Sequence, residues 1–286
     1  MNPRLSLIAP YLDRYTRRFT VLDLGSNDGT LAKAIASKYD AVVVAVEMNQ
    51  HEFPGCYEGY DRIICLHHKM TGEELRLLSE CEHFDVVLCL NFLHWFGDDW
   101  EEATRAALNM GDHVFVQIPK DGDERAPGFA IVPKIREMVQ AAGGILLGET
   151  VQFPGHDSRP LWMTPTDSSI RFHRSTLESP EGSGQISGYH SPGESLAVAL
   201  DGSSRPWIHG INLWNFCLLG GVWPTKDKIL DMLCNYHLPE TKHGDIVPHN
   251  FILDGERLHL IDGHEGWGGD DRECLATTIA KVGAKL

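Results

Sequence analysis

The stretch Phe19-Thr-Val-Leu-Asp-Leu-Gly-Ser-Asn-Asp-Gly-Thr-Leu-Ala32 constrains this chain more than any other. It reads as a buried strand, a glycine turn and the opening of a helix. A second apolar run, Ala41 to Val46, ends in the acid Glu47, 22 residues after Gly25. A strand, a glycine turn, a helix and a second strand ending in a carboxylate make a nucleotide-cofactor half-site. The turn lets a ligand approach the backbone, and the acid can accept hydrogen bonds from both hydroxyls of a ribose.

The segments that follow keep the same rhythm. Arg62–Leu66, Phe84–Leu90 and His113–Ile118 read as further strands. Helical segments run over Asp28–Lys38, from Thr71 to Leu78, from Asp98-Asp-Trp-Glu-Glu102, and over Ile131–Ala142. Thr71 and Glu74 have the spacing of a capping box. The acids at 98–102 suit the positive end of a helix dipole, and Gly143-Gly144 ends the last helix. Ile145–Phe153 and Pro160–Thr164 then read as a terminal hairpin. Alternation of this kind predicts an α/β fold, a doubly wound parallel sheet with an antiparallel edge.

This region, 19–165, resembles the class I S-adenosylmethionine-dependent methyltransferases. The resemblance rests on Asp23 and Gly25 at the first strand end, Gly29, the acid Glu47, and Phe84-Asp-Val-Val-Leu88. It implies a Rossmann-like seven-stranded sheet and a site for S-adenosylmethionine. On that resemblance Gly25 and Gly29 leave room for the methionine part, Asp23 holds its ammonium and Glu47 binds the ribose. His68, Lys69 and Met70 meet the adenine, and Asn91 faces the reacting methyl group. Asn27 stands where Gly is usual, as in sugar C-methyltransferases and some other small-molecule enzymes, which points the acceptor toward a small molecule or glycan. His94, in Asn91-Phe-Leu-His-Trp-Phe96, is the candidate base for an acceptor hydroxyl because imidazole titrates near neutrality. The bland alternative is a ring packed beside Trp95.

Beyond 165 the texture changes. Residues 166–205 read as a linker or loop region, rich in Ser, Gly, Pro and Glu between 175 and 205, and 206–286 as a second module. There, His243-Gly-Asp-Ile-Val-Pro-His-Asn250 and Leu258-His-Leu-Ile-Asp-Gly263 resemble the catalytic and metal loops of aminoglycoside-phosphotransferase-like kinases. The resemblance implies a truncated large lobe, an α+β unit in which Asp245 takes a hydroxyl proton while Asn250 and Asp262 hold Mg2+ for ATP. Asp270 or Asp271 would tie that lobe together. A full kinase is poorly supported: Gly182-Ser-Gly-Gln-Ile-Ser-Gly188 is one residue too long for a phosphate loop, and Asp201 follows Leu196–Leu200 where a Lys is needed.

Composition narrows the partners. A net charge of −15 over 286 residues, with no Lys/Arg-rich run, argues against nucleic acid. The seven cysteines are scattered without a C-x-x-C, which predicts reduced thiols and a cytoplasmic setting. No apolar stretch approaches the roughly 20 residues of a bilayer span. The expectation is a methyltransferase acting on a small molecule or glycan, with an accessory kinase-like module. The alternatives are a bifunctional or Mg-ATP-dependent phosphotransferase, and a non-catalytic cofactor-binding scaffold.

Overall fold

The computed structural model describes residues 2–49, 57–120, 128–151, 157–165, 171–178, 186–191, 194–198, 204–206, 208–238, 243–261 and 270–286. The chain opens with helix α1 (Pro3–Leu12). Then come β1 (Phe19–Leu24), α2 (Thr30–Lys38), β2 (Ala41–Glu47), β3 (Ile63–His67), α3 (Gly72–Cys81), β4 (Phe84–Leu90), α4 (Trp100–Asn109), β5 (Gly111–Gln117), α5 (Val132–Ala141), β6 (Ile145–Thr150) and β7 (Arg159–Pro165). Every residue of β1 and β4 is buried, as a sheet covered on both faces requires.

Side-chain alternation along the strands sorts the interior into two layers. Val21, Val43 and Val86 face α1 and α2. Leu22, Val44 and Val87 face α3, α4 and α5. The capping box at α3 is complete: the Thr71 hydroxyl accepts from Glu74 N–H, and the Glu74 carboxylate accepts from Thr71 N–H at 2.8 Å. Substituting such a cap costs about 1 kcal/mol.

The seven strands take the order β3-β2-β1-β4-β5-β7-β6, with β7 antiparallel to both β5 and β6. The expected doubly wound sheet with an antiparallel edge is therefore present. An eighth strand joins it from far along the chain.

The second half departs from the linker expected over 166–205. Strands β8 (Arg171–Arg174), β9 (Ile186–Ser191), β10 (Glu194–Val198) and β11 (Ser204–Pro206) form a four-stranded antiparallel sheet. The Ser, Gly and Pro content that suggested a loop sits largely between these strands, while Ile186, Tyr189, Leu196 and Val198 are strand formers. Then follow β12 (Ile211–Asn212), α6 (Leu213–Leu218), β13 (Gly221–Trp223), α7 (Lys226–Cys234), β14 (Phe251–Leu253), β15 (Leu258–Leu260) and α8 (Asp271–Lys285).

This part does not stand apart from the first. Strand β13 pairs antiparallel with β3 and becomes the outer strand of the main sheet. Phe216, Ile229 and Phe251 lie in the same hydrophobic cluster as Leu22 and Val44. Each such side chain contributes roughly 1.5–3 kcal/mol on burial. Polar ties add direction. The fully buried Glu82 accepts from Asn212 N–H at 2.8 Å and from Asn215 Nδ2 at 3.0 Å. At the amino ends of the strands, Asp85 accepts from Thr20 N–H at 2.7 Å and bonds His209 Nδ1 at 3.1 Å. Cys65, Cys81, Cys89 and Cys217 are buried free thiols. No helix among the described residues is long and apolar enough to cross a membrane.

Candidate functional site

At the carboxyl ends of β1, β2 and β4 the sheet opens into a cavity of about 400 Å³. This is the edge at which open α/β sheets bind ligands. Gly25 and Asn27 line it from the turn after β1, and Glu47 and Met48 from the end of β2. His68, Lys69 and Met70 come from the segment after β3, and Asn91, Phe92, Trp95 and Phe96 from the segment after β4. Seven of the residues predicted to meet the cofactor, Gly25, Asn27, Glu47, His68, Lys69, Met70 and Asn91, thus share one cavity.

The turn has unusual backbone geometry. Gly25 (φ +73°), Asn27 (φ +53°) and Gly29 (φ +68°) all lie in the left-handed region. Asn enters that region more readily than other residues with a Cβ, which accounts for Asn27 where a Gly is usual. Asn91 (φ +63°) does the same across the cavity, its N–H donating to Gln117 O at 2.8 Å. Such backbone persists only where the surroundings fix it, and it clusters at functional sites.

Glu47 supplies much of that fixing. Its Oε2 accepts from Asn27 N–H at 2.8 Å, and its Oε1 accepts from Met48 N–H at 2.9 Å and Asn49 N–H at 3.0 Å. About four lone-pair sites exist on a carboxylate, so most are engaged by the protein's own backbone. Gly25 is tight for a different reason: a Cβ there would come within 3.0 Å of Phe92 Cδ2.

Two predicted residues sit just outside the cavity lining. Asp23 is 3% exposed beneath the turn, and its Oδ2 has no hydrogen-bond partner. Burial pushes its pKa up to about 7, with Arg4 pulling downward and Glu47 and Asp28 adding to the rise. Gly29 was expected to leave room for the methionine part of a ligand. Instead a Cβ at Gly29 would strike the hydroxyl of the buried Tyr57 and come within 2.6 Å of its ring carbons, so its openness serves protein packing.

His94 is also displaced from its expected place. The residue is 2% exposed, its ring lies beside Trp95 with centroids 5.6 Å apart and planes tilted by 39°, and it does not line the cavity. The backbone turns at Leu93–Trp95 so that Trp95, 58% exposed, takes the rim. The imidazole that does reach the cavity is His68, whose Nε2 lies 2.9 Å from Glu74 Oε1.

Sequence reasoning missed Gln117 and Arg4. Gln117 is fully buried: its Oε1 accepts from Arg4 Nε at 2.8 Å and from Asn91 Nδ2 at 3.2 Å, while its Nε2 donates to Thr150 Oγ1 at 2.8 Å. An amide ending the apolar run Val114–Val116 was the available signal. Arg4, on α1, carried none.

In the C-terminal part, Asp245 and Asn250 are together. Asn250 Nδ2 donates to Asp245 Oδ2 at 3.0 Å and to Asp245 O at 2.9 Å. Asp271 accepts from His243 N–H at 2.9 Å and Gly244 N–H at 2.8 Å, while Asp270 caps α8. Asp262 lies outside the described residues, and no cluster of three metal-ligating side chains occurs among those described.

A sheet of order 3-2-1-4-5-7-6, with its cavity over a glycine turn and an acid closing the second strand, is the arrangement that the resemblance to class I methyltransferases implies for residues 19–165. Residues 22–110 match the family model described as a methyltransferase domain. No curated protein matches it. Among solved structures, it is similar to a TehB-like S-adenosylmethionine-dependent methyltransferase from Corynebacterium glutamicum ATCC 13032. That match has 13% identity and TM-score 0.39, covering 58% of this chain and 89% of the other. It is also similar to the Burkholderia thailandensis 1,6-didemethyltoxoflavin-N1-methyltransferase, with 16% identity, TM-score 0.43 and coverages of 58% and 77%. A third similarity is to the Synechocystis PCC 6803 magnesium protoporphyrin IX methyltransferase, with 14% identity, TM-score 0.42 and coverages of 57% and 78%.

Proposed function

We infer that this chain transfers a methyl group from S-adenosylmethionine to a small-molecule acceptor, a glycan included. One observation carries the reading: the cavity lies over a left-handed turn with one carboxylate, Glu47, on its wall and another, Asp23, buried beneath with an unsatisfied oxygen. A cationic, amine-bearing nucleoside complements that arrangement. Glu47 is the ribose acid, sharing the lone pair its backbone donors leave free. His68, Lys69 and Met70 meet the base. Asp23 is the ammonium partner, and Asn91, on the β4 side, stands by the reacting end.

The cofactor, when bound, supplies a methyl group on a sulfonium whose departure leaves a neutral thioether. The protein's share is position and dryness. Phe92, Phe96 and Met70 wall the cavity with apolar surface. Trp95 and Met48, 58% and 55% exposed at the rim, offer flat and adaptable surface to an acceptor ring or sugar face. His94 receives no base role in this reading, because its ring is packed away from the cavity.

Titration calorimetry with S-adenosylhomocysteine tests the reading. Micromolar binding that Gly25→Arg abolishes is expected, since an added side chain strikes Phe92 and fills the cavity. No binding to the unaltered chain overturns it.

A second reading attaches to the C-terminal part. The Asn250–Asp245 pair and the Asp271 clasp on residues 243–244 favour a kinase-like loop, with Asp245 as base and Asn250 and Asp262 toward Mg2+ and ATP. Its shared core with the sheet favours a supporting role. Mg-ATP binding lost in Asp262→Ala would promote it to a phosphotransferase.

A further inference from the structure

The strand that leads into one wall of the cavity is held on its two flanks by different halves of the chain. His67 closes β3, and the next three residues, His68, Lys69 and Met70, line the cavity. On the inner flank, His68 N–H donates to Glu47 O at 3.0 Å. On the outer flank, His67 N–H donates to Gly220 O at 3.0 Å, and Gly221 pairs with Leu66. The His67 ring adds a third tie. Its Nε2 lies 3.1 Å from the backbone carbonyl oxygen of Met48, a residue that also lines the cavity.

The approach of β13 to β3 is close at both glycines. Gly220 is left-handed (φ +63°), and a Cβ there would come within 2.9 Å of His67 O. A Cβ at Gly221 would strike the Phe216 ring. The register then shifts between Gly221 and Trp223, an irregularity of the kind that bends a strand and recurs beside active sites. Helix α6, which delivers Gly220, is fixed in turn. Its Asn215 donates to Glu82, and Asn212 Nδ2, at its amino end, donates to His249 O at 2.5 Å. Without β13, β3 would be an edge strand, and chain segments open more easily where their backbone groups lack partners.

We propose that the C-terminal half positions the wall formed by residues 68–70: Gly220 holds His67, so that docking of that half and occupancy of the cavity favour one another. This rests on the S-adenosylmethionine reading above and gives the second half a part in it. Gly220 is a positioning residue, because it touches the strand that carries the wall and not the cavity itself. Coupling of this kind is reciprocal and ordinarily worth about 5–150-fold in affinity.

The test is calorimetry on the full chain, well below its unfolding temperature, with S-adenosylhomocysteine and with adenosine. Gly220→Ala should weaken both ligands about fivefold or more, because the displaced wall meets the base that they share. Gly220→Asn carries the same Cβ on a residue that tolerates left-handed backbone. It should weaken both ligands too, and it guards against an alanine variant that fails to fold. Leu233→Ala opens a cavity in the same core on α7. It should lower the melting temperature and leave both affinities within about twofold. Unchanged affinities in both Gly220 variants overturn the proposal while leaving the cofactor reading intact. An equal loss in Leu233→Ala overturns it too, because that marks general loosening, and so does a loss confined to S-adenosylhomocysteine. No binding of S-adenosylhomocysteine to the unaltered chain overturns the cofactor reading and this proposal together.

Discussion

Glu47 Oε2 accepts a hydrogen bond from the Asn27 backbone N–H at 2.8 Å, joining the end of β2 to the turn after β1. The carboxylate thus shapes the turn and faces the cavity at once. Glu47→Gln keeps the shape but replaces one acceptor oxygen by a donor NH2, which cannot receive these N–H groups. S-adenosylhomocysteine affinity should fall at least about tenfold, and the melting temperature should fall with it, since the lost bonds are charge-assisted. Calorimetry and thermal unfolding read the two effects separately.

The left-handed φ of Asn27 gives a second expectation. Asn27→Gly should be tolerated, with stability within about 1 kcal/mol of the parent. Asn27→Val should cost about 1–3 kcal/mol, because a β-branched residue at positive φ is strained. Denaturant unfolding of the pair decides the matter; equal midpoints would contradict it.

Asp23 sets a pH dependence. Its folded-state pKa is raised to about 7, chiefly by burial. Between about pH 4, where an unfolded Asp titrates, and that raised value, the folded chain binds the extra proton. Stability therefore falls as pH rises through this window and levels off above it. Asp23→Asn should be the more stable protein at pH 8, with the advantage gone near pH 4. Ammonium binding needs the ionised form, so S-adenosylhomocysteine affinity should rise from pH 6 to 8 in the parent and stay flat in Asp23→Asn.

Glu82 anchors the second half. Glu82→Ala leaves Asn212 N–H and Asn215 Nδ2 short of a buried acceptor. The cost should be about 1–3 kcal/mol for each unsatisfied group. Limited proteolysis should open the chain near residues 208–218 before the glycine turn is attacked.

Much of this architecture was legible. Strands such as Phe84–Leu90 are apolar but for Asp85, and a run covered on both faces has few other homes. Thr71 with Glu74 announced its cap. The cavity residues from the glycine turn to Asn91 followed from strand order, because strand ends on one edge of a parallel sheet must converge. What stayed hidden depended on distant pairing. Tyr57 filling the space above Gly29, Arg4 reaching Gln117 across more than 100 residues, and the turn that hides His94 while presenting Trp95 leave no local pattern. The antiparallel strands after residue 170 were masked by Gly and Ser, residues that mark loops by composition even where the chain pairs.

The pairing of β13 with β3 also bears on how the molecule is made. During synthesis the first seven strands leave the ribosome with one flank unfinished. Until Trp223 emerges, β3 offers a row of open backbone groups to any passing strand. A fragment ending at Pro165 holds the whole glycine-turn motif yet keeps that flank open, and should self-associate more readily than the full chain.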